Sequence, residues 1–357
     1  MSGFLSLNIT YNNRRKNMNQ YNKAAGIDVV IPYWNHSNVI SRALGSIAMQ
    51  TIAKDVHVTI VNDASTEVDI AALKEIIAGY EVSDIASIMV VDVEENMGPG
   101  HARAVGQQSC NHEFITFMDA DDTWASSYAL QFLHDAFVQN RQLDAVFGTF
   151  LEETENPQMK FVPHQHDGTW MFGKMYRRAF LDHFNILMSD SRSNEDMAFN
   201  QLVFACTDNV GFLELPVYYW MVNKESITRK ADNDYQFRGM LGYIDGHTWA
   251  ETERRKRNLH SSEKGLTAAI DALIMIYFYQ MEVLQNRPID QHEEAWAEIT
   301  RFFKTAFGDR QVPMDIVNQR YVGMAQAHSQ PGGLLTRVVP KLSIAAFIDE
   351  LKERIKE

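Results

Sequence analysis

From Ile27 onward the chain alternates short apolar or β-branched runs with stretches whose apolar residues recur at helical spacing. In order these read IDVVIPYW, HSNVISRALGSIAMQ, VHVTIVND, VDIAALKEIIAGY, ASIMVVDV, GHARAVGQQSC and EFITFMDAD. Val56 to Val61 and Ile88 to Val93 are apolar or β-branched almost throughout, the pattern of strands covered on both faces. Between them, Val39, Leu44, Ile47 and Ala48 share one helical face, and Ile70, Leu73, Ile76 and Ile77 share another. Strand and helix in alternation predict a parallel α/β sheet with right-handed crossovers.

A second section follows Asp144, with AVFGTFLEETENPQMKFVPHQHDGTWMFGKMYRRAFL leading to the helix-like SRSNEDMAFNQLVFA. Beyond about Asp232 the pattern is mostly helical. The resulting division is a lead-in over 1–26, an α/β domain over 27–231 with halves at 27–145 and 146–231, and a helical region over 232–357. In the last of these, Ile344, Phe347, Ile348, Leu351 and Ile355 lie on one face, which either packs on the body or pairs with a partner, as in a homo-oligomer joined through its C-terminal helices.

Composition narrows the class. The 357 residues are 45% hydrophobic and 22% charged, enough for a large core. A formal net charge of −13 argues against nonspecific nucleic-acid binding, although NNRRKN and the ERRKRN of Glu253 to Asn258 are local basic clusters. Two distant cysteines, Cys110 and Cys206, make neither a disulfide framework nor a zinc pattern and suit a reducing cytoplasm. The polar, Asn-rich start lacks the order of a secretory signal. Leu266 to Leu284 is the longest apolar stretch, but it contains Asp271, Gln280 and Glu282, so it is expected to be a buried helix and no integral membrane segment is inferred.

Chemistry concentrates at the strand ends, where ligands of open α/β sheets bind. PYWN at Pro32 to Asn35, NDAST at Asn62 to Thr66, ENMGPGHAR at Glu95 to Arg103 and DADD at Asp119 to Asp122 line one expected mouth. The last is the oddest: EFITFMDADDTW runs from apolar residues straight into three carboxylates, Asp119, Asp121 and Asp122. Asp is depleted in strands and like charges at this spacing repel, so the cluster opposes local folding preference unless a cation sits among them. A hard divalent metal is the candidate, since such ions take carboxylate oxygens.

In order and spacing, VVIPYWN, VNDAST, NMGPGHARA, FMDADD and NEDMAF resemble the family 2 glycosyltransferases, over Asp28 to Thr228. The resemblance implies a GT-A fold, an α/β Rossmann-like and mostly parallel central sheet flanked by helices, here with a mainly helical C-terminal extension. It implies that 27–145 is the nucleotide-sugar half and 146–231 the acceptor half. It assigns Asp119 and Asp121 to Mn2+ or Mg2+, with Asp122 in support, and places Asp119 and Ala120 against the nucleotide. Asp63 would accept a hydrogen bond from the base, favouring uracil, and Trp34 would cover it, with Pro32 and Asn35 beside them. Asn96, Gly98 and Arg103 match the family's NxGxxxAR pattern and would serve the base or diphosphate. Asp196 would be the general base that deprotonates the acceptor hydroxyl, with Glu195 orienting the acceptor.

The match departs before Ser226 to Thr228, where many members carry an Arg and a His and this chain has Met221 and Asn223. Lys224 or Arg229, and His164 or His166, are the candidates to replace them. The implied protein is a cytoplasmic or peripheral inner-membrane enzyme that moves a sugar from a UDP-sugar to a glycan or lipid-linked acceptor. A hydroxylated base of phage DNA as acceptor, and a nucleotide-sugar-binding protein without turnover, are the alternatives. A nucleotidyltransferase would open with a Gly-rich basic loop, which IPYWNHSN lacks.

Overall fold

The computed structural model describes residues 24–223, 233–285, 287–329, 335 and 342–356. The lead-in 1–23 with its basic cluster, Lys224 to Arg229, and 330–334 of the His328–Leu335 loop lie outside the described residues. Two compact units result, to be taken separately.

The first unit begins β1 (Ala24–Tyr33), α1 (Ile40–Ala48), β2 (Val56–Asp63), α2 (Glu67–Ala78), β3 (Ser87–Val93), α3 (Pro99–Ser109) and β4 (His112–Phe117). It continues with β5 (Thr123–Trp124), α4 (Ala129–Gln139), β6 (Ala145–Glu153), β7 (Phe161–His164), β8 (Lys174–Arg177), α5 (Arg178–Phe184), α6 (Glu195–Cys206) and β9 (Val210–Trp220). Among the described residues the strands form one sheet in the order β3–β2–β1–β4–β8–β6–β9–β5, with β7 paired to β6. β3, β2, β1 and β4 are all parallel, as the alternating pattern predicts. The far half is mixed: β8 runs antiparallel to both β4 and β6, while β9 is parallel to β6. No helix separates β6 from β8, so no crossover is available and the chain returns in the opposite direction.

β2 is buried along almost its whole length, as expected, but β3 is not. β3 ends the sheet, so Met89 and Asp92 face solvent, and the expectation of cover on both faces fails for Ile88 to Val93 because no strand lies outside it. In α1, Leu44 and Ile47 are buried, whereas Val39 and Ala48 keep some exposure. Val29, Ile31, Val58, Ile60, Leu44, Leu130 and Leu133 belong to one continuous core that fixes the strand ends.

The second unit contains α7 (Asn233–Lys256), α8 (Glu263–Val283), α9 (Ile289–Phe307), α10 (Met314–His328) and α11 (Ile344–Arg354). α8 is long and apolar enough to cross a membrane, but half of its apolar window is buried, with Ile270, Leu273, Ile274 and Tyr277 in the core of the helical unit. Ile344, Phe347, Ile348 and Leu351 of α11 are buried in that same core, so the C-terminal apolar face is used within the chain. The second basic cluster is accounted for by ion pairs: Arg254 with Glu251, Arg255 with Asp309, and Lys256 and Arg257 with Glu253.

α3 lies against β1 and β2, and Gly106 sets how closely. A Cβ there would stand 2.4 Å from a methyl of Val30 and 3.0 Å from one of Val61. Both valines are fully buried and cannot yield cheaply. Gly106→Ala is therefore expected to cost about 1–3 kcal/mol through overpacking, read as a lower urea midpoint, with Gly323→Ala, an exposed helical glycine with nothing near its added methyl, as the control that reads the helix-propensity gain of about 0.5–1 kcal/mol alone. An unchanged midpoint for Gly106→Ala would show that the close approach of α3 is not needed.

Candidate active site

The carboxyl ends of β1, β2, β3 and β4 open on one side of the first unit, and the residues singled out in the sequence follow them directly. Trp34, just past β1, is 48% exposed, as an aromatic that covers a ligand must be and one filling the core would not. Pro32 is half-buried. Asn35 has a left-handed backbone (φ 52°) and stitches the first two strand ends together: its N–H donates to Ser65 Oγ at 2.9 Å, and its side-chain carbonyl accepts from Thr66 N–H at 2.9 Å.

Asp63 ends β2 and is 3% exposed. One carboxylate oxygen accepts from Met97 N–H at 2.9 Å and the other from Gly98 N–H at 2.8 Å, while Asn96 Nδ2 donates to its backbone carbonyl at 3.2 Å. Asp63 thus latches the β3–α3 loop, and each oxygen retains a second lone pair. Gly98 caps α3 with φ 95°, a left-handed conformation that favours glycine, and an added Cβ would meet Arg192 at 3.0 Å. Arg192 reaches back over it, donating to the side chain and carbonyl of Asn96.

Beyond β4, oxygen atoms of Asp119, Asp121 and Asp122 lie within 4.8 Å of one another. Asp122 is fully buried and already committed: Tyr218 Oη donates to one oxygen at 2.8 Å and Met221 N–H to the other at 2.8 Å. The same tyrosine oxygen accepts from Asp119 N–H at 3.1 Å. Asp121 accepts from Asn223 Nδ2 at 2.7 Å, so the residue standing where relatives of the motif carry a cation still reaches the cluster. Burial, and then repulsion from Asp119, raises the Asp121 pKa, with Asn223 and His36 partly opposing. Burial with both neighbouring carboxylates raises Asp122 well above the carboxylate range. Asp119 and Asp121 offer hard oxygens in a site short of positive charge, and that donor set fits Mn2+ or Mg2+. Ala120 is buried between them. His164 and His166 are not in the cluster and pair with Glu152 and Glu214.

Arg103, on α3 and 5% exposed, joins this cluster to α6. It donates to Asp119 at 2.5 Å and, with its other terminal nitrogen, to Glu195. Burial would lower its pKa, but Asp119, Glu195 and Asp196 outweigh that and raise it. Asp196 follows in the first turn of α6, where the helix dipole favours a carboxylate. Burial first, then Glu195, pushes its pKa up to about 7, against the lowering effect of Arg103 and of its bond from Met197 N–H.

α6 is brought here by residues with no obvious part in the motifs. Gln107 of α3 donates to Ile186 carbonyl at 2.7 Å and accepts from Met188 N–H at 3.2 Å. Gly100 lets the loop close on α3, since a Cβ there would lie 2.3 Å from Ser189 carbonyl oxygen. Tyr218, Gln107, His36 and Arg192 are the site residues that sequence motifs passed over. The second glycine of NMGPGHAR was the one visible signal. A cavity of about 470 Å³ in the second unit, between the ends of α7 and α9, holds none of these groups.

The glycosyl transferase family 2 profile matches residues 28–193. Glycosyltransferase GlyA of Streptococcus pneumoniae is 23% identical over 57% of this chain and 31% of its own length. The uncharacterized glycosyltransferase EpsJ of Bacillus subtilis is 27% identical over 57% of the chain and 62% of its own. The chain therefore spans about a third of the first relative and under two thirds of the second. The crystal structure of Staphylococcus aureus TarS 1–349 superposes with a TM-score of 0.59 at 16% identity, covering 86% of this chain and 92% of that one. TarS 1–349 in complex with UDP-GlcNAc superposes with a TM-score of 0.51 at 19% identity, covering 79% and 90%.

The latch at Asp63 makes a direct prediction. Asp63→Ala leaves two backbone N–H groups without their charged acceptor, so it is expected to lower stability by about 1.5–3 kcal/mol and to speed hydrogen exchange at Met97 and Gly98. Unchanged protection of those two amides would remove the latch from the account.

Proposed function

We propose, from the family 2 glycosyltransferase profile that matches residues 28–193 and from the GT-A fold, that the chain transfers a sugar from a UDP-sugar to an acceptor hydroxyl with inversion at the anomeric carbon. The observation that carries the reading is the position and acidity of Asp196. It lies in the first turn of a helix that Arg103 ties to the donor-side carboxylate Asp119, and its pKa of about 7 suits a group that must take a proton near neutral pH.

In the proposed reaction the Asp196 carboxylate takes the proton of the acceptor hydroxyl as that oxygen forms a bond to the anomeric carbon. The bond from that carbon to the diphosphate oxygen breaks, and UDP leaves with the electron pair. A single displacement needs no covalent enzyme intermediate and inverts the centre. Glu195 is held by Arg103 and orients the acceptor. Asp119 and Asp121 would hold Mn2+ or Mg2+, which supplies positive charge against the charge growing on the leaving diphosphate. Asp122, bonded by Tyr218 and Met221, fixes the backbone that presents those two carboxylates.

For the nucleotide, the spare lone pairs of Asp63 can accept from a uracil N–H while exposed Trp34 covers the ring. The fold shared with TarS, which has been captured with UDP-GlcNAc, supports a UDP-sugar donor. The acceptor is proposed to be a bacterial surface glycan or its lipid-linked precursor, handled at or near the cytoplasmic membrane face.

Transfer should rise with pH through about 7, because Asp196 is protonated and inert as a base below its pKa and ionised above it. Asp196→Asn is expected to cut transfer by about 10²-fold or more and to flatten that rise, while titrations of UDP with Mn2+ or Mg2+ remain as in the wild type and fail in a chelator. Wild-type transfer by Asp196→Asn would move the base elsewhere, and lost UDP binding would make its role structural.

A further inference from the structure

A column of aromatic rings rises from the acidic cluster of the first unit. At its base Tyr218 holds Asp122 and Asp119 through its hydroxyl. Phe172 stacks on Tyr218 with centroids 5.3 Å apart and planes 10° apart, and Trp170 stacks on Phe172 at 5.7 Å and 4°. Trp220 closes against Trp170 at 5.0 Å. Tyr218 and Phe172 are buried, whereas Trp170 and Trp220 keep exposed surface. Trp220 immediately precedes Met221, whose N–H is bound by Asp122, so the exposed end of the column stays next to the reaction centre.

Trp170 is held with unusual effort for a partly exposed loop residue. Its N–H donates to Asp167 at 2.8 Å. Its carbonyl accepts from Lys174 Nζ and, at 3.0 Å, from Asn200 Nδ2. Lys174 is 1% exposed and pairs with Asp167 at 3.3 Å. A lysine buried to this degree is costly, and burial lowers its pKa to about 8 against the opposing pull of Asp167. Asn200 stands one turn beyond Asp196 on α6, so the helix that carries the proposed base also fixes the tryptophan. A half-exposed indole clamped at this point is a preorganised contact surface.

We propose that Trp170 and Trp220 form the platform on which a pyranose ring of the acceptor stacks, and that the acceptor is an uncharged saccharide. The inference rests on the glycosyltransferase reading and narrows its acceptor. A pyranose presents an apolar C–H face to an indole and hydroxyls at its rim, and Glu152, which pairs in register with Trp220, and the neighbouring Glu153 are acceptors for such hydroxyls. Glu153 already bonds Val222 N–H, two residues past Trp220, at 3.0 Å. Glu152 and Glu153 at that end of the column, on a chain of net charge −13, disfavour a polyol phosphate or a nucleic acid.

The test uses the full chain with UDP and Mn2+ present and saturation-transfer NMR on methyl glycosides of glucose, galactose, mannose and N-acetylglucosamine, with glycerol 3-phosphate and 5-hydroxymethyl-2′-deoxycytidine as competing chemistries. At least one glycoside is expected to bind through its ring protons, to keep binding in Trp170→Phe, and to weaken roughly tenfold in Trp170→Ala and in Trp220→Ala, the scale of a lost ring contact. UDP titrations in the same samples should not change. The platform is overturned if no glycoside binds while UDP does, if binding survives in both alanine variants, or if the phosphate or the nucleoside binds in place of the sugars. Loss of UDP binding in the wild type would instead overturn the glycosyltransferase reading beneath it.

Discussion

The guanidinium of Arg103 sits between Asp119, which follows β4, and Glu195, which opens α6, and everything proposed for the site depends on that bridge. The two carboxylates come from segments far apart in sequence and would repel if left facing one another in a buried setting. A single planar cation with two separate terminal nitrogens answers both, one donor end to each carboxylate, in a fixed geometry that the single nitrogen of a lysine does not reproduce. Removing one partner of such a group strands charge where water cannot compensate it, so the bridge matters more to arrangement than to net stability. Through it the donor-side cluster and the helix of Asp196 share one rigid frame, with Gln107 and the missing side chain of Gly100 keeping α6 close to α3.

Even with Arg103 in place, carboxylates outnumber cations there. Asp121, Asp122 and Asp196 all have raised pKa values, with burial as the first cause in each. For Asp196 the sign is adverse to folding: a folded-state value of about 7 means that its contribution to stability is fully present below the ordinary carboxylate range and is lost as pH rises through 7. The fold tolerates this at the point where a poised base is useful. Bonds from neighbouring groups let the three aspartates that follow β4 coexist despite that surplus. Asp122 is stabilised by Tyr218 and Met221, and the remaining two carboxylates offer the ligand set of a hard cation.

The strand-end residues were legible because each follows a strand whose apolar run is visible in the sequence, and the parallel direction of β1 to β4 follows from alternation, though their order does not. The antiparallel turn at β8 was not, since it reflects the absence of a helix between β6 and β8 rather than any property of KMYR itself. Side-chain partners were hidden for a similar reason. Asp63 bonds amides 34 and 35 residues away and Arg103 a carboxylate 92 residues away, and such pairings are set by how α3 and α6 pack, which no local spacing encodes. Asn223 illustrates the limit: its identity signalled a departure from the family pattern, but only the structure places its amide on Asp121. The aromatic column was invisible for the same reason, its rings coming from a loop and from β9.

If Arg103 unites the two sides of the site, removing its charge should disturb the base on the far side. The pH dependence of sugar transfer in Arg103→Gln, compared with the wild type, measures this directly. Arg103 holds the Asp196 pKa down against burial and Glu195, so the rise in rate expected near pH 7 in the wild type is predicted to move to higher pH in the variant while UDP still binds. A rise that stays where it was, with only its height changed, would mean that Arg103 does not act on Asp196 and would contradict the shared frame.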